Sequence, residues 1–89
     1  MFDENKVTKI KAARKAYKLG MKKEEYVATF IYNGNKEQMV HLGMDDYGQC
    51  YFVMFEFENE IKEMGCGTYN FDYLDCVYYV FEYMLKVEG

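Results

Sequence analysis

The side chains best suited to recognition chemistry are carboxylates that alternate with phenyl rings in the middle of the chain. Glu56, Glu58 and Glu60 occupy every second position, so on a β-strand they would point the same way, about 6.6 Å apart. Such a row can occupy a cationic groove that otherwise receives phosphates, although strand edges also carry charge merely for solubility. With two aspartates of a neighbouring turn they form the predicted acidic contact surface for a partner protein: Asp45, Asp46, Glu56, Glu58 and Glu60.

A second charged group lies at the start of the chain and is basic. Residues 1–23 hold eight Lys or Arg against two acids, whereas residues 24–89 hold three Lys against thirteen acids, and the net charge is −4. Four basic side chains at helical spacing are candidate phosphate contacts: Lys11, Arg14, Lys15 and Lys18. They also fit a solvated helix face, or contacts with acids of this chain or of a second copy. Because the remainder of the chain is acidic, we expect it to repel nucleic acid.

Catalysis or metal binding would have to use His41 or the three cysteines. Cys50, Cys66 and Cys76 include no closely spaced pair, so we predict free thiols and no metal site. The chain contains no serine, and a Cys50–His41 pair would need a thiol of lowered pKa. No phosphate-binding glycine loop is present. We therefore predict no enzymatic activity and no cofactor.

The bulk composition predicts one globular domain over residues 1–89. Half of the residues are apolar and 19% are aromatic, which provides a core and argues against disorder. The longest uncharged apolar run, residues 49–55, is far shorter than the roughly 20 residues of a membrane span. No signal-peptide pattern opens the chain. We expect a cytoplasmic protein that does not enter a membrane.

Two stretches have the periodicity of amphipathic helices and flank the middle of the chain. The first runs from Asp3 to Gly20, with Asp3 or Asn5 as N-cap and Gly20 as the residue after the last turn. The second runs from Asn70 to about Val87, with Asn70 as N-cap. Its single narrow polar stripe predicts burial over most of its circumference.

Between these helices the sequence favours a sheet. Aromatic and β-branched residues predict a three-stranded antiparallel meander, with strands near residues 25–32, 35–43 and 49–58. Asn33-Gly34 is the predicted type I′ turn, and Asp45–Gly48 is the second turn. The predicted fold class is therefore α+β, with an N-terminal helix, the meander and a C-terminal helix.

The meander would place both helices on one sheet face. That face would carry Val27, Ile31, Val40, Leu42, Tyr51, Val53, Phe55 and Phe57. The opposite face keeps large apolar side chains, and uncovered apolar faces commonly mark contact sites with other subunits. We therefore predict a homodimer that associates through Phe30, Phe52 and Met54.

A helical reading of the middle is the alternative. Gly34, Gly43 and Gly65 each follow a segment that could end as a helix. The chain would then be an all-α bundle with a helix-turn-helix-like start, and its basic first helix would bind DNA as a small regulator. The density of Tyr, Phe and Val in the middle segments argues for strands instead.

The function hypothesis follows from the acidic surface and from the lack of a catalytic motif. We interpret the chain as a small non-enzymatic interaction protein that inhibits or modulates a host protein, with a nucleic-acid-handling protein as one candidate. Its composition is typical of accessory or phage-encoded proteins. The partner in this hypothesis is another protein.

Overall fold

The computed structural model describes residues 2–34, 36–45, 50–68 and 73–88. The elements are a 3₁₀ turn (Glu4–Lys6), β1 (Val7–Ile10), α1 (Ala13–Leu19), β2 (Tyr26–Asn33), β3 (Glu37–Met44), β4 (Cys50–Phe57), β5 (Glu60–Thr68) and α2 (Tyr73–Glu88). The strands form one antiparallel sheet in the order β1-β2-β3-β4-β5. The α+β class is confirmed. The three-stranded meander is wrong in detail, and the all-α alternative with its helix-turn-helix start is wrong.

The first predicted helix, Asp3–Gly20, is only partly helical. Val7–Ile10 has β-branched residues at three of its four positions, and it joins the sheet as β1. The helix is confined to Ala13–Leu19, while Asp3 caps the short 3₁₀ turn. Its end is as predicted, because Gly20 has a φ of 118° and its N–H donates to carbonyls of the last turn.

The turns differ from the prediction more than the middle strands do. Neither Asn33 nor Gly34 lies in the left-handed region of φ, and β3 begins only at Glu37. The predicted two-residue turn is therefore wrong. The positive φ values of a type I′ turn, 54° and 63°, occur at Glu58 and Asn59, which join β4 to β5.

The second predicted helix is present over Tyr73–Glu88. Its predicted N-cap, Asn70, lies outside the described residues. The same is true of the predicted turn Asp45–Gly48 beyond Asp45.

The two helices lie on opposite faces of the sheet rather than together on one. The main core is formed with α2 and includes Phe30, Leu42, Val53, Phe55 and Phe81. A smaller cluster beneath α1 contains Ala16, Met21 and Met54, with Leu19, Tyr26 and Phe52 packed against it. Each face of the middle strands is therefore covered by a helix over part of its length.

The register of β2 differs from the predicted one because three residues, rather than two, separate the paired Asn33 and Glu37. The pairing with β3 shifts between Tyr26 and Ala28, which leaves Val27 42% exposed. Val27 and Ile31 were predicted on the core face, but the residues that occupy it are Ala28, Phe30 and Tyr32.

The predicted self-association face is not one exposed surface. Phe30 is buried on the α2 side, whereas Phe52 and Met54 pack beneath α1 on the other side. The expectation was wrong because it placed both helices on one face and left the other bare. A homodimer, and a role for these three residues in it, stays a prediction.

Cys66 on β5 and Cys76 on α2 form a disulfide, with Cα atoms 5.6 Å apart. The prediction of three free thiols is wrong for these two buried residues, and Cys50 is the free cysteine of the described chain. The disulfide fastens α2 to the last strand of the sheet. No described helix has the length and apolar character needed to cross a membrane.

We expect Cys66→Ala/Cys76→Ala to lower the free energy of unfolding by about 3 kcal/mol, because the crosslink restricts the unfolded chain across a separation of 10 residues. Urea denaturation measures the loss, and Cys50→Ala is the control for thiol removal. The crosslink would carry no stability if the double variant and the oxidised parent unfolded at the same urea concentration.

Candidate functional site

The ladder between β3 and β4 stops halfway along the two strands. Its last pair is His41 with Met54. Beyond it both strands continue outward, paired only with their outer neighbours β2 and β5. The hairpins β2–β3 and β4–β5 therefore diverge. We call the gap between residues 37–40 and residues 55–58 the hairpin cleft.

Alternate backbone groups of both strands point into the hairpin cleft. The Asp45 N–H donates to the Cys50 carbonyl at 2.9 Å, and hydrogen-bonded pairs recur at every second residue of an antiparallel ladder. The last rung is therefore hydrogen-bonded, and the next residues that point the same way are Met39 and Glu56. Within the described chain, their inward N–H and C=O groups have no strand partner.

Three carboxylates lie around the open end of the gap, on Glu37, Glu56 and Glu58. An extension of the ladder in register would pair Met39 with Glu56, and Glu37 would reach Glu58 in the turn after β4. Beneath the gap, the buried side chain of Met84 from α2 forms part of the floor. The space is thus supported from below and bordered by acidic side chains.

A cavity of about 590 Å³ occupies the hairpin cleft. Lys15 and Lys18 line its closed end, because α1 packs over the last rung through Ala16 and Met54. Its outer rim is lined by Lys36, Glu37, Glu56, Glu58 and the exposed Ile61. The cavity is therefore basic at its closed end and mainly acidic at its open end.

A buried chain of hydrogen bonds links the start of α1 to the closed end. The Ala12 N–H donates to the Tyr26 hydroxyl at 3.0 Å. That hydroxyl lies 2.8 Å from Thr29 Oγ1, which lies 2.8 Å from His41 Nδ1. Either hydroxyl can donate in these bonds, and the tautomer of His41 sets the direction of the bond to Nδ1.

His41 is held in its neutral form. Burial, and to a lesser extent the positive charge of Lys15, lowers the pKa of His41 to about 4, and only 3% of the residue is exposed. Near pH 7 a base of this pKa is too weak for efficient proton abstraction. His41 is therefore better suited to hydrogen bonding at the closed end than to acid–base catalysis.

The predicted acidic row does not lie along one strand. Glu56 is exposed on β4, Glu58 lies in the turn, and Glu60 begins β5 and bonds Lys62 at 3.2 Å. The chain reverses between Glu58 and Glu60, so the even 6.6 Å spacing expected from a continuous strand is wrong. Glu56 and Glu58 nevertheless share the rim of the hairpin cleft.

The two predicted aspartates are separate from this rim. Asp45 follows β3 at the end opposite the hairpin cleft, and Asp46 lies outside the described residues. Partner contact by either aspartate, or by Glu60, stays a prediction.

The predicted basic stripe is divided by the structure. Lys11 precedes α1, while Arg14, Lys15 and Lys18 lie on it, and all four are exposed. Lys15 and Lys18 line the cavity, whereas Lys11 and Arg14 do not. Their role as phosphate contacts stays a prediction. Lys15 and Lys18 share this cavity with acids of the same chain, and a contact between the stripe and these acids stays a prediction.

The described residues do not bring together the side chains that metal binding or Cys–His catalysis would need. No cluster of three metal-ligating side chains occurs in the part of the chain that the structure describes. Cys50 lies four residues along β4 from Met54, the partner of His41, a separation of about 13 Å at the usual strand rise. His41 and Cys50 therefore do not form a catalytic pair.

Sequence reasoning missed Glu37, Ile61 and the opening itself. The available signal was the acid pair that a regular β3–β4 register would create, but the true register was needed to see it. Comparison with protein-family models, with curated proteins and with solved structures gave no match in any of the three. The functional argument therefore depends on the geometry of the hairpin cleft.

We expect the stability of the fold to fall as the pH is lowered from 6.5 toward 4. The folded-state pKa of His41, about 4, lies below its ordinary value of 6.5, so the unfolded chain binds a proton first. The contribution is complete above pH 6.5 and amounts to about 2–3 kcal/mol, lost across that window.

The comparison is with His41→Gln, which cannot titrate, followed by urea denaturation at each pH. Carboxylates contribute equally to both proteins, so the difference between the two curves isolates the imidazole. Parallel curves would contradict a buried neutral His41.

Proposed function

We propose that this chain is a non-enzymatic interaction protein that binds a basic segment of another protein in the hairpin cleft and thereby inhibits or modulates it. The observation that carries this proposal is the rim of Glu37, Glu56 and Glu58 around a cavity of about 590 Å³. These carboxylates converge on one opening although they come from two hairpins. A lysine or arginine of the partner that enters it would meet several negative charges at short range.

A protein segment suits the hairpin cleft better than a nucleic acid does. Phosphates would be repelled by the acidic rim before they reached Lys15 and Lys18 at the closed end. The exposed Ile61 and the buried Met84 add apolar surface to the cavity. Apolar contacts combined with opposite charge are typical of protein interfaces.

In this proposal the negative charges of the rim steer the basic partner to the hairpin cleft. Glu56 and Glu58 are exposed, and exposed carboxylates contribute little to folding stability. They remain free to attract a basic surface over a distance comparable to the Debye length, about 8 Å at physiological ionic strength. Binding that depends on them must weaken as salt is added.

The disulfide is relevant to the compartment in which this chain meets its partner. Cys66–Cys76 would be reduced in an ordinary cytosol, whereas disulfides persist in oxidising surroundings. We therefore place the encounter outside the reducing cytosol, in contrast to the cytoplasmic location expected from sequence.

The test uses two variants of equal charge change. A partner is captured from the native source by crosslinking and identified, and its association rate is then measured at low and high salt. We expect Glu56→Gln/Glu58→Gln to slow association at low salt by about tenfold and to reduce its salt dependence. Asp75→Asn/Glu82→Gln, on the exposed surface of α2, should leave both unchanged.

The proposal would be overturned if Asp75→Asn/Glu82→Gln and Glu56→Gln/Glu58→Gln associated with the partner at the same rate. It would also be overturned if the captured partner bound with undiminished rate after loss of both rim glutamates.

A further inference from the structure

We propose that the hairpin cleft receives the partner as an extended C-terminal segment, inserted as an additional strand between β3 and β4, with its terminal carboxylate beside Lys15 and Lys18. This inference rests on the proposed function and names the kind of segment and the mode of binding. It accounts for the unpaired backbone, the acidic rim and the basic closed end together.

The unpaired strand edges supply the main-chain contacts. Met39 on β3 and Glu56 on β4 direct N–H and C=O groups into the gap, and neither residue has a strand partner across it. An extended segment placed between them would bond to both edges, as strand addition does at other open sheets. It would replace the missing part of the β3–β4 ladder without displacing an existing pair.

The side chains beside the gap specify an alternating segment. On the α1 side, an inserted strand would have Glu37, Glu56 and Glu58 as its neighbours, and opposite charges on adjacent strands attract. On the α2 side, its neighbours would be the buried Val40, Phe55 and Phe57. Because strand side chains alternate between faces, the segment should carry Lys or Arg at every second position and apolar residues between them.

The closed end specifies a chain terminus. The regular ladder resumes at His41 and Met54, so an inserted strand cannot continue in the plane of the sheet. Lys15 and Lys18 face this end of the cavity. They would attract a terminal carboxylate and repel a terminal amine. The segment therefore enters from the acidic rim with its carboxyl end leading.

This direction fixes the strand polarity. β3 runs inward from Glu37 to His41, and β4 runs outward from Met54 to Phe57. A segment with its carboxyl end at the last rung is parallel to β3 and antiparallel to β4.

The probe is the pentapeptide Val-Lys-Val-Lys-Val, acetylated at its amino end, with either a free carboxylate or a carboxamide. Amide resonances of the full-length protein are followed by NMR during titration. We expect the free-acid peptide to shift Met39 and Glu56 and to bind at least about fivefold more tightly than the carboxamide, because only it carries the charge that Lys15 and Lys18 recognise. A Val-Glu-Val-Glu-Val peptide should not shift these amides.

Matched variants of α1 locate the carboxylate. Lys15→Gln/Lys18→Gln should remove the preference for the free acid, whereas Lys11→Gln/Arg14→Gln, on exposed residues outside the cavity, should retain it. All four positions are exposed, so the variants should fold, and their amide spectra report this directly.

The outcomes separate the inference from the proposed function. Equal binding of both peptides, lost in Glu56→Gln/Glu58→Gln, would overturn the terminal insertion and leave the acidic cleft as the binding site. Shifts confined to exposed Tyr79, Tyr83 and Val87 of α2, or no shift with any peptide at millimolar concentration, would overturn the insertion. The capture experiment then judges the proposed function separately.

Discussion

The end of the β3–β4 ladder at His41 and Met54 is the constraint on which the rest of the molecule depends. Up to that rung the sheet is continuous, and beyond it no strand pairing joins the described residues of β3 and β4. Glu37, Glu56 and Glu58 line the opening beyond this rung. The hairpin cleft, its acidic rim and its unpaired edges all follow from this one interruption.

Helices on both faces of the sheet stabilise a fold whose β3–β4 ladder is interrupted. α2 supports the main core from below, with Val77 and Phe81 fully buried, and the Cys66–Cys76 disulfide fastens it to β5. On the other face α1 reaches the last rung, and the chain from Tyr26 through Thr29 satisfies the buried His41. Polar groups at the closed end are therefore bonded in a fixed arrangement, as buried polar groups must be, while the inward backbone groups of Met39 and Glu56 have no strand partner.

The sequence predicts the parts of this fold whose signals are local. Gly20 ends a helix because a left-handed residue is needed there, and the aromatic segments form strands close to where they were expected. Local pattern failed where pairing decides the outcome. Val7–Ile10 looked like helix but pairs with β2, and Glu60–Thr68, with glycine at two positions, has no clear alternation yet pairs with β4. Whether a segment forms a strand depends on its pairing partner as well as on its intrinsic propensity.

Only the acidic chemistry of the candidate site could be predicted from the sequence, and not its geometry. Glu56 and Glu58 were identified from their charge and spacing, but their convergence with Glu37 depends on the register of three strands and on a turn at Glu58 and Asn59. The pairing of Asn33 with Glu37 likewise sets which face of β2 is buried, because an odd change of register reverses the two faces of a strand. The Cys66–Cys76 pairing also requires the positions of β5 and α2.

Hydrogen exchange of individual backbone amides, measured by NMR in the free protein, tests the open ladder most directly. The amides of Gly43 and Phe52, an opposed pair inside the ladder, should exchange slowly because both are hydrogen-bonded. The amides of Met39 and Glu56, which point into the hairpin cleft, should exchange at rates close to those of unprotected residues. If Met39 and Glu56 were protected as strongly as Gly43 and Phe52, the two hairpins would be paired along their full length, and the account of the cleft would be contradicted.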